Sequence, residues 1–353
     1  MYGRGPGAPM SPLRPGSSRL RAYLQFLAAV LYFFLAQAVA QRAAMGLASE
    51  QWMPLAEVAM LLFLLVVGYA GLGMAFNREV SPIAEQGLAG RAGWHREAGM
   101  GLAFGWALAL LCILPMVVAG GVAIVLDLRL AAWGWLFADA AFFAVMAMAE
   151  EVAFRGYGFQ RFARAVGPIG AALGYAAFYA IVQSLQPGAN RASMAVSVAL
   201  SLLLSTAYLR SRALWVSWGI NFGWKASRAL LFGLAVSGVS SHSPVVQGNP
   251  MGPFWLTGGG YGLDGSWLAM LLLLAALPVL FRLTRDLDFR YNAPEIIPGG
   301  IPVDLDAAAR RQHEAAMGPA DPPASQLIQI LPAAPSEPPS LHQAPPPPTF
   351  PPE

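Results

Sequence analysis

The feature that most constrains this chain is a series of about eight apolar runs, roughly 22–41, 53–76, 98–126, 131–152, 168–187, 192–209, 213–236 and 266–282. Between them lie short stretches that hold most of the Arg, Pro and Gly. A helix needs about 20 predominantly apolar residues to cross a bilayer, where each backbone amide must be satisfied inside the segment. Of 353 residues, 56% are hydrophobic and 12% charged. A soluble domain carries about 25% charged residues, so the runs are read as membrane spans and the lipid bilayer as the first partner.

The expected fold class is all-α: a polytopic transmembrane bundle of about eight helices over residues 20–290, between disordered tails at 1–19 and 291–353. The tails are rich in Gly, Pro, Ser and Arg at one end and in Pro at the other, so neither can bury enough apolar surface to order itself. The Pro-rich tail is a solvated linker or, alternatively, a polyproline ligand for an aromatic groove. The first run lacks a small-residue cleavage pattern and reads as a retained helix.

Arginines set the expected orientation. With eight spans, fifteen fall in the N-terminal tail and alternate loops and only three (Arg42, Arg129 and Arg191) on the opposite side. Cytoplasmic loops retain Lys and Arg, so both termini are placed in the cytoplasm of a multi-pass protein of the cell membrane (plasma or inner membrane). The pI is about 9.2, but the basic residues are scattered without interleaved aromatics, which argues against nucleic acid as a partner. Cys112, the sole cysteine, reads as a small core residue.

Ionisable residues inside spans cost about 2.5–3.5 kcal/mol on insertion scales and mark paired or functional sites by default. Three clusters stand out: Glu150-Glu151-x-x-x-Arg155, Tyr179-x-x-x-Gln183, and Asn221-x-x-x-Lys225 followed by Arg228. An antiparallel hairpin turning at Gly167-Pro168 would place Glu150 and Gln183 each about sixteen residues from the turn, or roughly 25 Å along the helices. Asn221 and Lys225, four apart, share a face. The three clusters are therefore expected to meet in one chamber. Glu151 and Arg155 could equally form a local i,i+4 ion pair, whereas Glu150 needs a partner from another helix, with Lys225 the candidate. The loop Ser237–Gly265, rich in Gly and aromatics, reads as a cap on the outer face or, alternatively, as a substrate-binding element.

The motif Glu150-Glu151-x-x-x-Arg155-Gly156-Tyr157-Gly158-Phe159-Gln160-Arg161-Phe162 resembles the first motif of the CAAX-protease and bacteriocin-processing (CPBP) family, which includes type II CAAX prenyl endopeptidases. Ser237-Gly238 and Trp255-Leu256-Thr257-Gly258-Gly259 through Gly265-Ser266 are similar to the outer loop of a bacterial branch, so the resemblance covers about 98–282. It implies an eight-helix intramembrane protease in which the first glutamate and a histidine on the next helix activate a water. A histidine and an asparagine four residues apart on a later helix stabilise the oxyanion. Glu150 matches the glutamate. Gln183, Asn221 and Lys225 stand at the family-equivalent positions of the two histidines and the asparagine.

An amide neither titrates near pH 7 nor offers an imidazole nitrogen to a metal. His95, His242, His313 and His342 lie in loops or the tail. No cofactor is expected, and zinc is disfavoured because the chamber holds no histidine. Three functions remain open. One is a pseudoprotease that binds or scaffolds a hydrophobic or prenylated peptide or a membrane-protein segment. The second is an active endopeptidase that uses Glu150 with a modified oxyanion site, and the third is a transporter or proton relay.

Overall fold

The computed structural model describes residues 17–238, 245–292 and 313. The N-terminal stretch to residue 16 and most of the Pro-rich tail lie outside the described residues, as do His242 and His342. Within them the chain is the all-α bundle that its apolar runs imply. Its principal helices are α1 (Ser17–Leu47), α2 (Met53–Asn77), α3 (Trp94–Val118), α4 (Leu130–Arg155), α5 (Tyr157–Val166), α6 (Pro168–Ser184), α7 (Arg191–Ser211) and α8 (Leu214–Ala226). After these come the one-turn α9 (Phe254–Thr257), α10 (Trp267–Leu283) and α11 (Arg285–Asn292). Five helical segments are long and apolar enough to cross a membrane: α1, α2, α3, α4 taken together with α5, and α7. The α10–α11 pair, bent by 60°, would make a sixth.

Several run boundaries differ from expectation. The run 98–126 is not one helix. It ends at Val118, and Val122–Leu126 forms a strand, β1, antiparallel to β2 (Val246–Pro250) with Val122 opposite Pro250. The last run before the long loop is interrupted as well, because α8 passes into a π-helical turn at Ser227–Leu231. The simple hairpin also fails. Gly156 (ψ −139°) breaks the helix after Arg155, and α5 intervenes before Gly167-Pro168 opens α6. α6 packs chiefly on α7 and α5, and touches α4 through Phe154, whose ring lies 5.5 Å from Phe178 and 4.9 Å from Tyr179.

Local chemistry explains the helix starts. Asn190 and Ser193 form a reciprocal capping box on α7, with bonds of 3.0 and 2.8 Å, and Ser266 caps α10. Such caps satisfy amides that have no partner in the first turn.

The tightest helix pair is α3 with α8. Gly101 and Gly105 lie on α3; Gly219 and Gly223 lie on α8. A Cβ on any of the four would drive into the backbone of the opposite helix. Small residues four apart let helices approach backbone to backbone, which is how bundles gain van der Waals contact in lipid. Two apolar cores flank this seam. One, with Ile113, Leu203, Ile220 and Trp224, joins α3, α7, α8 and α10. The other, with Phe33, Leu65, Val152 and Tyr175, joins α1, α2, α4, α5 and α6.

Several arginines that were counted as loop charges are buried in pairs. Arg155 is inside α4 and fully buried, Arg161 binds Glu79, and Arg91 binds Glu97 and the Ser211 carbonyl. Internal pairing holds them in place.

Candidate active site

α8 carries the site against α4. Its close contact with α3 fixes its depth, and Trp218 Nε1 donates to the Ala144 carbonyl of α4 at 2.9 Å. Asn221 and Lys225, one turn apart, then point at the paired glutamates. The Lys225 ammonium donates to Glu150 Oε1. Asn221 Nδ2 donates to Glu150 Oε2 at 2.9 Å and to Glu151 Oε1 at 3.1 Å. Both carboxylate oxygens of Glu150 are therefore occupied from α8.

Glu151 turns the other way along α4. Its Oε1 lies 3.3 Å from Arg155 Nη1, and both side chains are fully buried. Arg155 Nη2 continues to α7, donating to Ser201 Oγ at 3.1 Å and to the Ser201 carbonyl at 3.3 Å. Asn221 bridges the two glutamates, so the local pair and the interhelical pair form one network. Charged groups in a low-dielectric interior need partners of opposite charge, and alternating signs supply them here.

Gln183 stands somewhat apart. Its Nε2 donates to Tyr179 Oη at 3.0 Å on its own helix, and it lines a narrow cavity with Tyr179, Ser197 and Lys225. The same cavity is walled by Ser237, Tyr261 and Asp264 from the long loop. Asp264 is 2.8 Å from Arg228 Nη1, and it accepts from Trp224 Nε1 at 3.1 Å and from Ser237 N and Oγ, both at 3.1 Å. Arg228 also donates from Nε to the Trp224 carbonyl at 2.7 Å and lies over the Trp224 ring, 4.4 Å from its centroid.

Sequence reasoning passed over Ser201 and Asp264. Nothing in the spacing of Ser201 distinguishes it from the other serines of α7. Asp264 did carry a signal, as the only charged residue between Arg228 and Arg282.

Glu150 and Glu151 are each neutralised by a cation, and the amides of Gln183 and Asn221 are weak ligands beside imidazole. His95 is exposed and outside the cluster. Among the described residues, no group of three or more His, Cys, Asp or Glu is placed to hold a metal.

Residues 131–227 match the family model described as type II CAAX prenyl endopeptidase Rce1-like. The matched span runs from α4 through α8 and contains Glu150, Glu151, Arg155, Gln183, Asn221 and Lys225, and it ends before Asp264. No curated protein and no solved structure matches the chain. Its apolar helices mark the chain as a membrane protein, and residues 131–227 are similar to the type II CAAX prenyl endopeptidase Rce1-like family.

Proposed function

We propose that this chain is a non-cleaving CPBP homologue. In this reading it sits in the cell membrane with both termini cytoplasmic and binds or scaffolds a hydrophobic or prenylated peptide or a membrane-protein segment. The observation that carries the reading is the state of Glu150, whose two oxygens accept from Lys225 and Asn221. A carboxylate so engaged is a poor base for water, because the ammonium and the amide take up its lone pairs. Gln183, which stands where the resemblance puts a histidine, bonds to Tyr179 and has no titratable proton to relay. No cofactor enters this reading.

The second reading, an active endopeptidase, draws on the same geometry. Lys225 and Asn221 are donors of the kind that can stabilise an oxyanion, and the Glu150 side chain keeps 18% of its surface exposed. Purified protein incubated with a prenylated peptide and with general peptides, beside Glu150→Ala, separates the two. Absence of cleavage with retained peptide binding supports the first reading. Cleavage that vanishes in the variant establishes the second.

A further inference from the structure

Residues Phe254–Gly265 form a compact strap made of α9 and two 3-10 turns, Gly259–Tyr261 and Leu263–Gly265. Left-handed backbone at Gly258 (φ 72°) and Gly262 (φ 78°) lets the strap fold back on itself. A Cβ at Gly258 would strike the Gly262 carbonyl, and one at Gly262 would strike the Ala235 carbonyl. Seated this way, the strap places Tyr261 and Asp264 opposite Gln183, Ser197 and Lys225 across the narrow cavity.

We propose that this strap is a latched lid over the chamber, and that Asp264 is the latch. Asp264 is the strap's only charge and is 8% exposed. A carboxylate removed from water must recover its solvation from partners, and those partners lie outside the strap: Trp224 on α8, Arg228 in the π-helical turn after it, and Ser237 at the start of the long loop. The relation is reciprocal. Arg228 is fully buried, and a raised strap would leave its guanidinium with the Trp224 ring and carbonyl as its remaining described partners. Closed and raised states therefore differ by the Arg228 ion pair and three hydrogen bonds to the Asp264 carboxylate, which makes the lid two-state. Lys225 lies on the same cavity wall, so release of Asp264 admits water to the polar chamber. This holds whether or not the chamber cleaves peptides.

The test uses full-length protein in lipid nanodiscs, with Cys112→Ala to remove the native thiol and Ser197→Cys as a reporter in the cavity wall. A charged, water-soluble thiol reagent is expected to label the reporter slowly. Adding Asp264→Asn is expected to speed labelling by about tenfold or more, as loss of a charged hydrogen-bond acceptor shifts the local opening equilibrium. Ser237→Ala, which removes only the hydroxyl donor, gives a smaller rise in the same direction and serves if the Asp264 variant does not fold. Labelling as fast in the parent as in the folded variants would overturn the proposal.

Discussion

Lys225 and Glu150 meet across the α4–α8 interface, ammonium to carboxylate, with the lysine side chain 3% and the glutamate 18% exposed. Removing one partner of such a pair leaves the other as an uncompensated charge, at a cost of about 3–5 kcal/mol for fully buried pairs. The residual exposure of Glu150 moderates this. Lys225→Ala is expected to cost about 2 kcal/mol, read as a lower thermal midpoint in detergent. Changing both partners, Glu150→Gln with Lys225→Met, should recover most of the loss. An unaltered midpoint in Lys225→Ala would show that the pair does not register the helices.

The Glu151–Arg155 pair sits deeper and should matter more. Both side chains are fully buried, and Arg155 ties α4 to Ser201 of α7. Arg155→Ala strands Glu151 and frees the α7 contact, so a loss of about 3–5 kcal/mol is expected. Arg155→Lys should rescue only part of it, since an ammonium lacks the forked donors that reach the carboxylate and the serine together. A chemical denaturation series in mixed micelles would rank the variants; a smaller loss for Arg155→Ala than for Lys225→Ala contradicts the assigned depths.

The α3–α8 seam yields a sharper contrast. Gly219→Leu or Gly105→Leu puts a branched side chain where backbone meets backbone, and should abolish monodisperse protein on size-exclusion chromatography. Gly134→Leu in α4 is the control, because a Cβ there meets nothing within 4 Å. It should be neutral or slightly stabilising, since glycine is a poor helix residue. Equal tolerance of leucine at positions 134 and 219 would refute close approach as the basis of the seam.

Much of this arrangement was legible in the sequence, for identifiable reasons. Helical period places Asn221 and Lys225 on one face, and the Phe154–Tyr179 ring contact sets the level of α4 against α6. The equal-distance match of Glu150 with Gln183 rested on a hairpin that α5 replaces, and Gln183 bonds to Tyr179 on its own helix.

Other features escaped because their partners lie far away in sequence or their chemistry is ambiguous. Asp264 meets Trp224 across 40 residues, from a loop without periodicity. Arg155 allowed two readings, a topogenic loop charge and an i,i+4 partner of Glu151, and its burial with Glu151 decides for the second. The four-residue spacing of Gly101/Gly105 and Gly219/Gly223 stands in the sequence, but only tertiary contact shows that the two pairs face each other.

The last expectation concerns what separates this chamber from a working one. In the proposed reading, Glu150 is silent because its neighbours occupy it, not because the helices are misplaced. The combined variant Gln183→His, Asn221→His and Lys225→Asn removes the ammonium and supplies two imidazoles at the positions where the resemblance puts them. It is expected to cleave a prenylated peptide where the parent does not, with activity abolished by adding Glu150→Ala. Lys225→Asn alone should free Glu150 yet stay inactive, since general-base catalysis still lacks a titratable partner. Mass spectrometry of the peptide products measures both. If the combined variant folds, binds peptide and leaves it intact, then the barrier lies elsewhere, and Asp264→Asn in that background asks whether it is the lid.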